Sequence, residues 1–177
     1  MINFPEFLPD QPALDNPGTT VAKNVIPAAR GYRSVKALSD YSSAADARIR
    51  GFLAAKDGSE NANVYAGDAA KLYRLAGSTS TALTDASKVG GYSTSTQERW
   101  RFITWGDKII ATNFDDTMQI VTIGGSTFAD LTGSPPKARY LAVVRDQIFT
   151  GYTDESGTVY PYRVRWSGIG SETTWGS

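Results

Sequence analysis

Arg99-Trp-Arg-Phe-Ile-Thr-Trp-Gly-Asp-Lys-Ile-Ile-Ala-Thr112 decides the fold class: an apolar, aromatic-rich run ends at Gly-Asp and a second short apolar run follows at once. β-branched and aromatic residues flanking a two-residue turn signal are the mark of a β-hairpin. Two more segments complete the group, Met118-Gln-Ile-Val-Thr-Ile123 and Phe128-Ala-Asp-Leu131. The same order occurs before and after it. Upstream stand Arg48 to Asp57, Asn63 to Gly67, Ala70 to Leu75 and Thr81 to Asp85; downstream stand Ala138 to Asp146, Gln147 to Gly151, Tyr160 to Trp166 and Glu172 to Trp175. Each unit has an apolar strand closed by a turn Asp (Asp57, Asp107, Asp146), a second short strand, an alternating third and a brief fourth.

Repeats of ~40–50 residues with four strands apiece are how propeller blades read in sequence. The expectation is an all-β protein: a propeller-like array of three four-stranded antiparallel units at about 47–87, 99–133 and 138–177. A β-sandwich or irregular β-fold is the alternative. A closed propeller uses ~4–8 blades, and three leave two sheet edges unpaired. On this reading the 177 residues are an incomplete or truncated propeller, either the front part of a longer protein or part of a ring closed by other chains.

Residues 1–40 read differently from the β-repeat domain, 41–177. Pro5, Pro9, Pro12, Pro17 and Pro27 punctuate a stretch with neither helical nor alternating periodicity, which favours extended backbone. Phe4, Phe7, Leu8, Leu14, Val25, Ile26 and Tyr32 make it too apolar for a solvated linker, so it is read as an arm that packs on a neighbour through these side chains.

Composition excludes more chemistry than any motif introduces. The chain has no Cys and no His, which removes disulfides, thiolate and imidazole metal sites and the Ser-His-Asp triad. Lys and Arg number 18 against 18 Asp and Glu, so no whole-molecule field draws it to nucleic acid or membrane. No apolar run of ~18 residues is present, and Pro5, Glu6, Pro9 and Asp10 stand where a secretion signal would be basic and then apolar. The chain is read as soluble, cytoplasmically made and unprocessed, with no membrane partner, no cofactor and no metal.

The carboxylate pairs Asp115-Asp116 and Asp154-Glu155 and the loop Asp57-Gly-Ser-Glu-Asn61 contain the residue types of acid/base or Ca²⁺ sites, but all lie in turn contexts and are read as turns. Gly124-Gly-Ser126 and Gly168-Ile-Gly170 lack the following helix that a phosphate loop needs. No catalytic residue is assigned. Two-carboxylate glycoside hydrolysis is the one reaction class left open, with Asp107 and Asp146 at equivalent turns. Arg99, Arg101, Lys137, Arg139, Arg145, Arg163 and Arg165 interleave with Trp100, Tyr140, Tyr162 and Trp166. Cross-strand packing is the favoured reading of that pattern, with Arg139, Arg163 and Arg165 as candidates to face DNA. Trp100, Phe102, Trp105, Phe128, Trp166 and Trp175 are assigned to core first and interface second.

Pro9-Asp-Gln-Pro-Ala-Leu-Asp-Asn-Pro-Gly18, Lys23 to Val35, Tyr73-Arg-Leu75, Trp100 to Asp107, Ser134-Pro-Pro-Lys-Ala-Arg139 and Arg165-Trp-Ser-Gly-Ile-Gly170 resemble tailed-bacteriophage tail hub or head-completion proteins, also called packaged-DNA stabilisation proteins. Members of that family are longer, and open with an extended proline-asparagine-proline arm that leads into a β-propeller. The resemblance implies a virion protein at the head-tail junction, made in the host cytoplasm and assembled as a homo-oligomeric ring. Portal, adaptor and tail subunits would be its partners, and packaged DNA a further contact. The alternatives are a carbohydrate-binding or glycan-processing β-propeller and a scaffold repeat that binds peptides.

Overall fold

A computed structural model describes residues 6–12, 14–28, 31–37, 39–76 and 81–176. It contains thirteen strands in four antiparallel sheets and, among the described residues, no helix. The chain divides into two compact units, residues 1–40 and 41–177.

The first unit is more ordered than its prolines imply. Its strands β1 (Val25–Ala28) and β2 (Gly31–Ser34) form a hairpin, Val25 opposite Ser34 and Pro27 opposite Tyr32, and Phe7 makes a single parallel bridge with Thr19. Sequence periodicity gave no sign of this hairpin, although the backbone is extended as expected. A two-stranded hairpin consists only of edges, and an edge tolerates a proline that donates nothing. Asn24 enters the hairpin in the left-handed region (φ 56°), and its carbonyl accepts from Val35 N at 2.9 Å.

The second unit contains the three repeats. The first sheet comprises β3 (Gly51–Lys56), β4 (Ala62–Gly67), β5 (Leu72–Ala76) and β6 (Leu83–Asp85) in sequential order. The second comprises β7 (Arg101–Trp105), β8 (Lys108–Thr112), β9 (Gln119–Thr122) and β10 (Ala129–Asp130), again sequential. The third has three strands, β11 (Lys137–Val144), β12 (Gln147–Glu155) and β13 (Thr158–Trp166). A brief fourth strand was expected at Glu172 to Trp175; the segment makes only the antiparallel bridge Ser167–Trp175. The chain reverses tightly there, with Gly170 at φ 65° and Ser171 N donating to Gly168 O at 3.2 Å, and the pairing is limited to the two bonds that flank this bridge, Gly168 N to Thr174 O and Gly176 N to Trp166 O.

Two core clusters join the three sheets, and the run Lys-Ile-Ile-Ala-Thr explains why. Ile109 and Ile110 point to opposite faces of β8, as neighbours in a strand must, yet both are fully buried. Ile109 belongs with Tyr65, Leu72, Trp100, Val121 and Phe128; Ile110 belongs with Met118, Leu131, Ala138 and Ile148. The second sheet is therefore covered on both faces, which is the burial that an unbroken apolar run encodes. Between sheets, strand contacts pass through the first strands: β3 lies against β7, and β7 and β8 against β11. No closed barrel or ring forms among the described residues.

Trp100, 3% exposed, seals the junction of the first two sheets. Its ring meets Tyr92 edge-on (centroids 4.9 Å apart) and stacks on Phe102, and its Nε1 donates to Asp68 O at 2.8 Å. Gly51 and Gly67, opposite each other in β3 and β4, make room for it. A Cβ on Gly67 would lie 2.4 Å from the Trp100 ring, and one on Gly51 2.2 Å from the Trp100 carbonyl oxygen.

Candidate functional site

The turns read from sequence are built from their own side chains. Asp57 Oδ1 accepts from Ser59 N and Asn61 N, and these bonds hold its carboxyl below the usual carboxylate range. Asp154 and Glu155, read as part of a turn, are instead the last residues of β12, paired with Val159 and Thr158; the turn is Ser156-Gly157, and Asp154 Oδ1 accepts from Gly157 N at 2.8 Å. Gly124 N donates to Tyr65 Oη, which donates to Gly125 O, so that glycine pair is pinned to the first sheet.

Asp115 and Asp116 do more than close a turn. Asp116 bonds Asn113 within the turn but also accepts from Ser93 N, and Asp115 accepts from Ser95 N at 2.7 Å. Both carboxylates thus tether the 93–95 segment, and the Asp115 carbonyl accepts from Lys137 Nζ. Trp105 is half-buried against the second core with Lys108 over its ring. Among the described residues no group of three or more acidic side chains is placed to hold a metal ion.

The three DNA-facing candidates separate into two places. Arg163 and Arg165 converge on Glu155 Oε2, at 2.9 and 2.8 Å, and Arg165 Nε also donates to Gly176 O. Arg139, on β11, forms a two-pronged ion pair with the buried Glu98; its guanidinium lies 3.9 Å from the centroid of the Tyr152 ring and 5.1 Å from that of Phe114. It shares a polar pocket with Gln97, Glu98, Arg99, Arg101 and Tyr140. The sequence reading missed Glu98 and Gln97, which precede β7 in a stretch without strand pattern.

The third sheet has an outer face of a different kind. Register places Tyr140, Gly151 and Val164 in one row and Ala142, Phe149 and Trp166 in the next, opposite the face that carries Leu141 and Ile148 into the second core. Phe149 and Trp166 stack at 6.0 Å, yet Trp166 is 44% exposed, and Tyr140, Val144 and Val164 are about half exposed. Trp166, assigned to core first and interface second, takes its place on this open face. Trp100 and Phe128 are core as expected, while Phe102, Trp105 and Trp175 are half-buried and pack on the clusters. The matching face of the first sheet is only partly covered: Ala66, Tyr73 and Leu75 turn away from the second sheet and are nonetheless buried, while Phe52, opposite Ala66 on the same face, is 73% exposed. Segment 43–46 runs beside them, with Asp46 N donating to Tyr73 Oη and Ser43 N to Thr81 O.

Comparison with known proteins adds nothing to this geometry. No protein-family model and no curated protein sequence matches the chain.

Of the arm residues expected at an interface, Phe7, Leu14, Val25 and Ile26 are exposed and Leu8 and Tyr32 half-buried; Phe4 lies outside the described residues.

Proposed function

We propose that the chain is a non-enzymatic structural component of a tailed-phage virion, placed at the head-tail junction or tail hub. In this reading its three sheets are successive blades of a propeller-like array, and portal, adaptor and tail subunits are its neighbours. The observation that carries the assembly role is the uncharged outer face of β11–β13. Val144, Val164 and Trp166 are about half exposed there and Phe149 stacks on Trp166, an exposed apolar grouping of the kind found at contact sites. The second sheet supplies the precedent within the same chain, since its two faces are covered by sheets of the same design.

The first unit fits the part of an arm, with Leu14 94% exposed and Phe7, Val25 and Ile26 also open. The non-enzymatic assignment rests on the lack of His and Cys and on the engagement of the carboxylate pairs in turns and tethers. Immunogold electron microscopy of particles purified from the source that encodes the chain tests the proposal. Label confined to the head-tail junction is expected; particles that carry no label would overturn it.

A further inference from the structure

Arg50 stands just before β3, Arg101 opens β7 and Arg139 is the third residue of β11. β7 lies against both β3 and β11, and the Arg101 guanidinium lies over the ring of Tyr140, the neighbour of Arg139. Around Arg101 and Arg139 the surface is hollowed into a cavity of about 270 Å³, lined by Gln97, Glu98, Arg99, Arg101, Arg139 and Tyr140. That is room for several water molecules, or for one phosphate group and part of its hydration.

The lining is prepared for an anion. Three guanidinium groups face one carboxylate, and Glu98 is committed to Arg139 through both of its oxygens. Arg139 is held further by the Tyr152 and Phe114 rings, and Arg99 by bonds from its Nη1 to the Thr96 and Glu98 carbonyls. Arg101 has its guanidinium 5.3 Å from the centroid of the Tyr140 ring. Among the described residues neither Arg99 nor Arg101 has a carboxylate within ion-pair reach. Two cations without counterions, beside a third already fixed in place, form a site whose ordering cost on binding is small.

We propose that this pocket binds a phosphate group, with Arg99 and Arg101 as its principal ligands and Arg139 as a fixed wall. A phosphate is preferred to a carboxylate because it presents three or four acceptor oxygens to several guanidinium forks at once, whereas one fork satisfies a carboxylate. The proposal stands on the pocket alone and does not depend on the virion role. The group comes either from free phosphate or from the backbone of a nucleic acid.

The test is to titrate the full chain with inorganic phosphate, followed by NMR, and with a fluorescently labelled 20-base-pair duplex, followed by anisotropy at fixed low ionic strength. Arg101→Gln and Arg99→Gln are the variants, and Arg163→Gln, which removes an equal charge at the Glu155 site, is the control. Circular dichroism verifies the fold of each, and either pocket variant suffices if the other fails to fold. Loss of about tenfold in duplex affinity on Arg101→Gln, with a shallower salt dependence and little change on Arg163→Gln, assigns the site to backbone phosphate. Inorganic phosphate binding that is lost in the pocket variants, with no duplex binding, assigns it to free phosphate. Binding of neither probe, or duplex binding equally weakened by Arg163→Gln, overturns the proposal.

Discussion

Gly67 is glycine because Trp100 fills the space a side chain would need, and a double substitution turns that statement into a measurement. Trp100→Ala removes a nearly buried indole. A tryptophan buries ~150–250 Å², which at ~25 cal/mol per Å² is about 4–6 kcal/mol, and large aromatic truncations in cores cost ~3–5 kcal/mol. The acceptor at Asp68 O also loses its Nε1 partner. About 4 kcal/mol is therefore expected, a large share of the ~5–15 kcal/mol that holds an ordinary domain together. Gly67→Ala alone places a methyl 2.4 Å from Trp100 Cδ1 and costs ~1–3 kcal/mol through overpacking. With Trp100 already replaced by Ala, the same methyl enters vacant space in a strand where Ala is better than Gly by ~0.5 kcal/mol, so the cost vanishes or changes sign. The coupling of about 2 kcal/mol is read from urea unfolding of the four proteins by circular dichroism. Gly67→Ala costing the same in both backgrounds, within ~0.5 kcal/mol, would refute the packing argument. Trp105→Ala, at a half-buried site, should cost less than Trp100→Ala, ~1–3 kcal/mol.

Two further outcomes are expected. Lys88 holds the Asp130 carboxyl below its ordinary value, assisted by Gln119, and Lys108 does the same for Glu172. A depressed folded-state pKa contributes stability that is complete above the ordinary carboxylate range and is lost as pH falls through the lower folded value. Melting temperature should therefore fall from about pH 4.5 downward, less steeply in Asp130→Asn; equal slopes in thermal melts from pH 6 to 3 would contradict this. Removal of residues 1–40 should leave the β-type circular dichroism and melting of residues 41–177 intact, because both core clusters are drawn from the second unit. Collapse of that spectrum would show the first unit to be part of the core.

The sequence by itself determined the elements of the repeats. A two-residue turn such as Gly106-Asp107 between apolar runs fixes a hairpin locally, because a left-handed residue at φ 60° for Gly106 suits that geometry. The absence of His and Cys likewise bounded the chemistry without any coordinates. The hairpin at Val25–Ser34 was hidden because Pro27 reads as a breaker, and a breaker on an edge breaks nothing. Tertiary structure alone decided which apolar residues are core. Trp100 and Trp166 sit in similar Arg-flanked strings, yet one is sealed between two sheets and the other is 44% exposed on the outer face of the third. It also decided which arginines are paired. Arg163 and Arg165 meet Glu155 across a strand pair, and Arg139 meets Glu98 from 41 residues away, while Arg101 lies over the Tyr140 ring. Strand periodicity assigns a side chain to one of two faces; only the stacking of sheets, set by contacts distant in sequence, determines what that face meets.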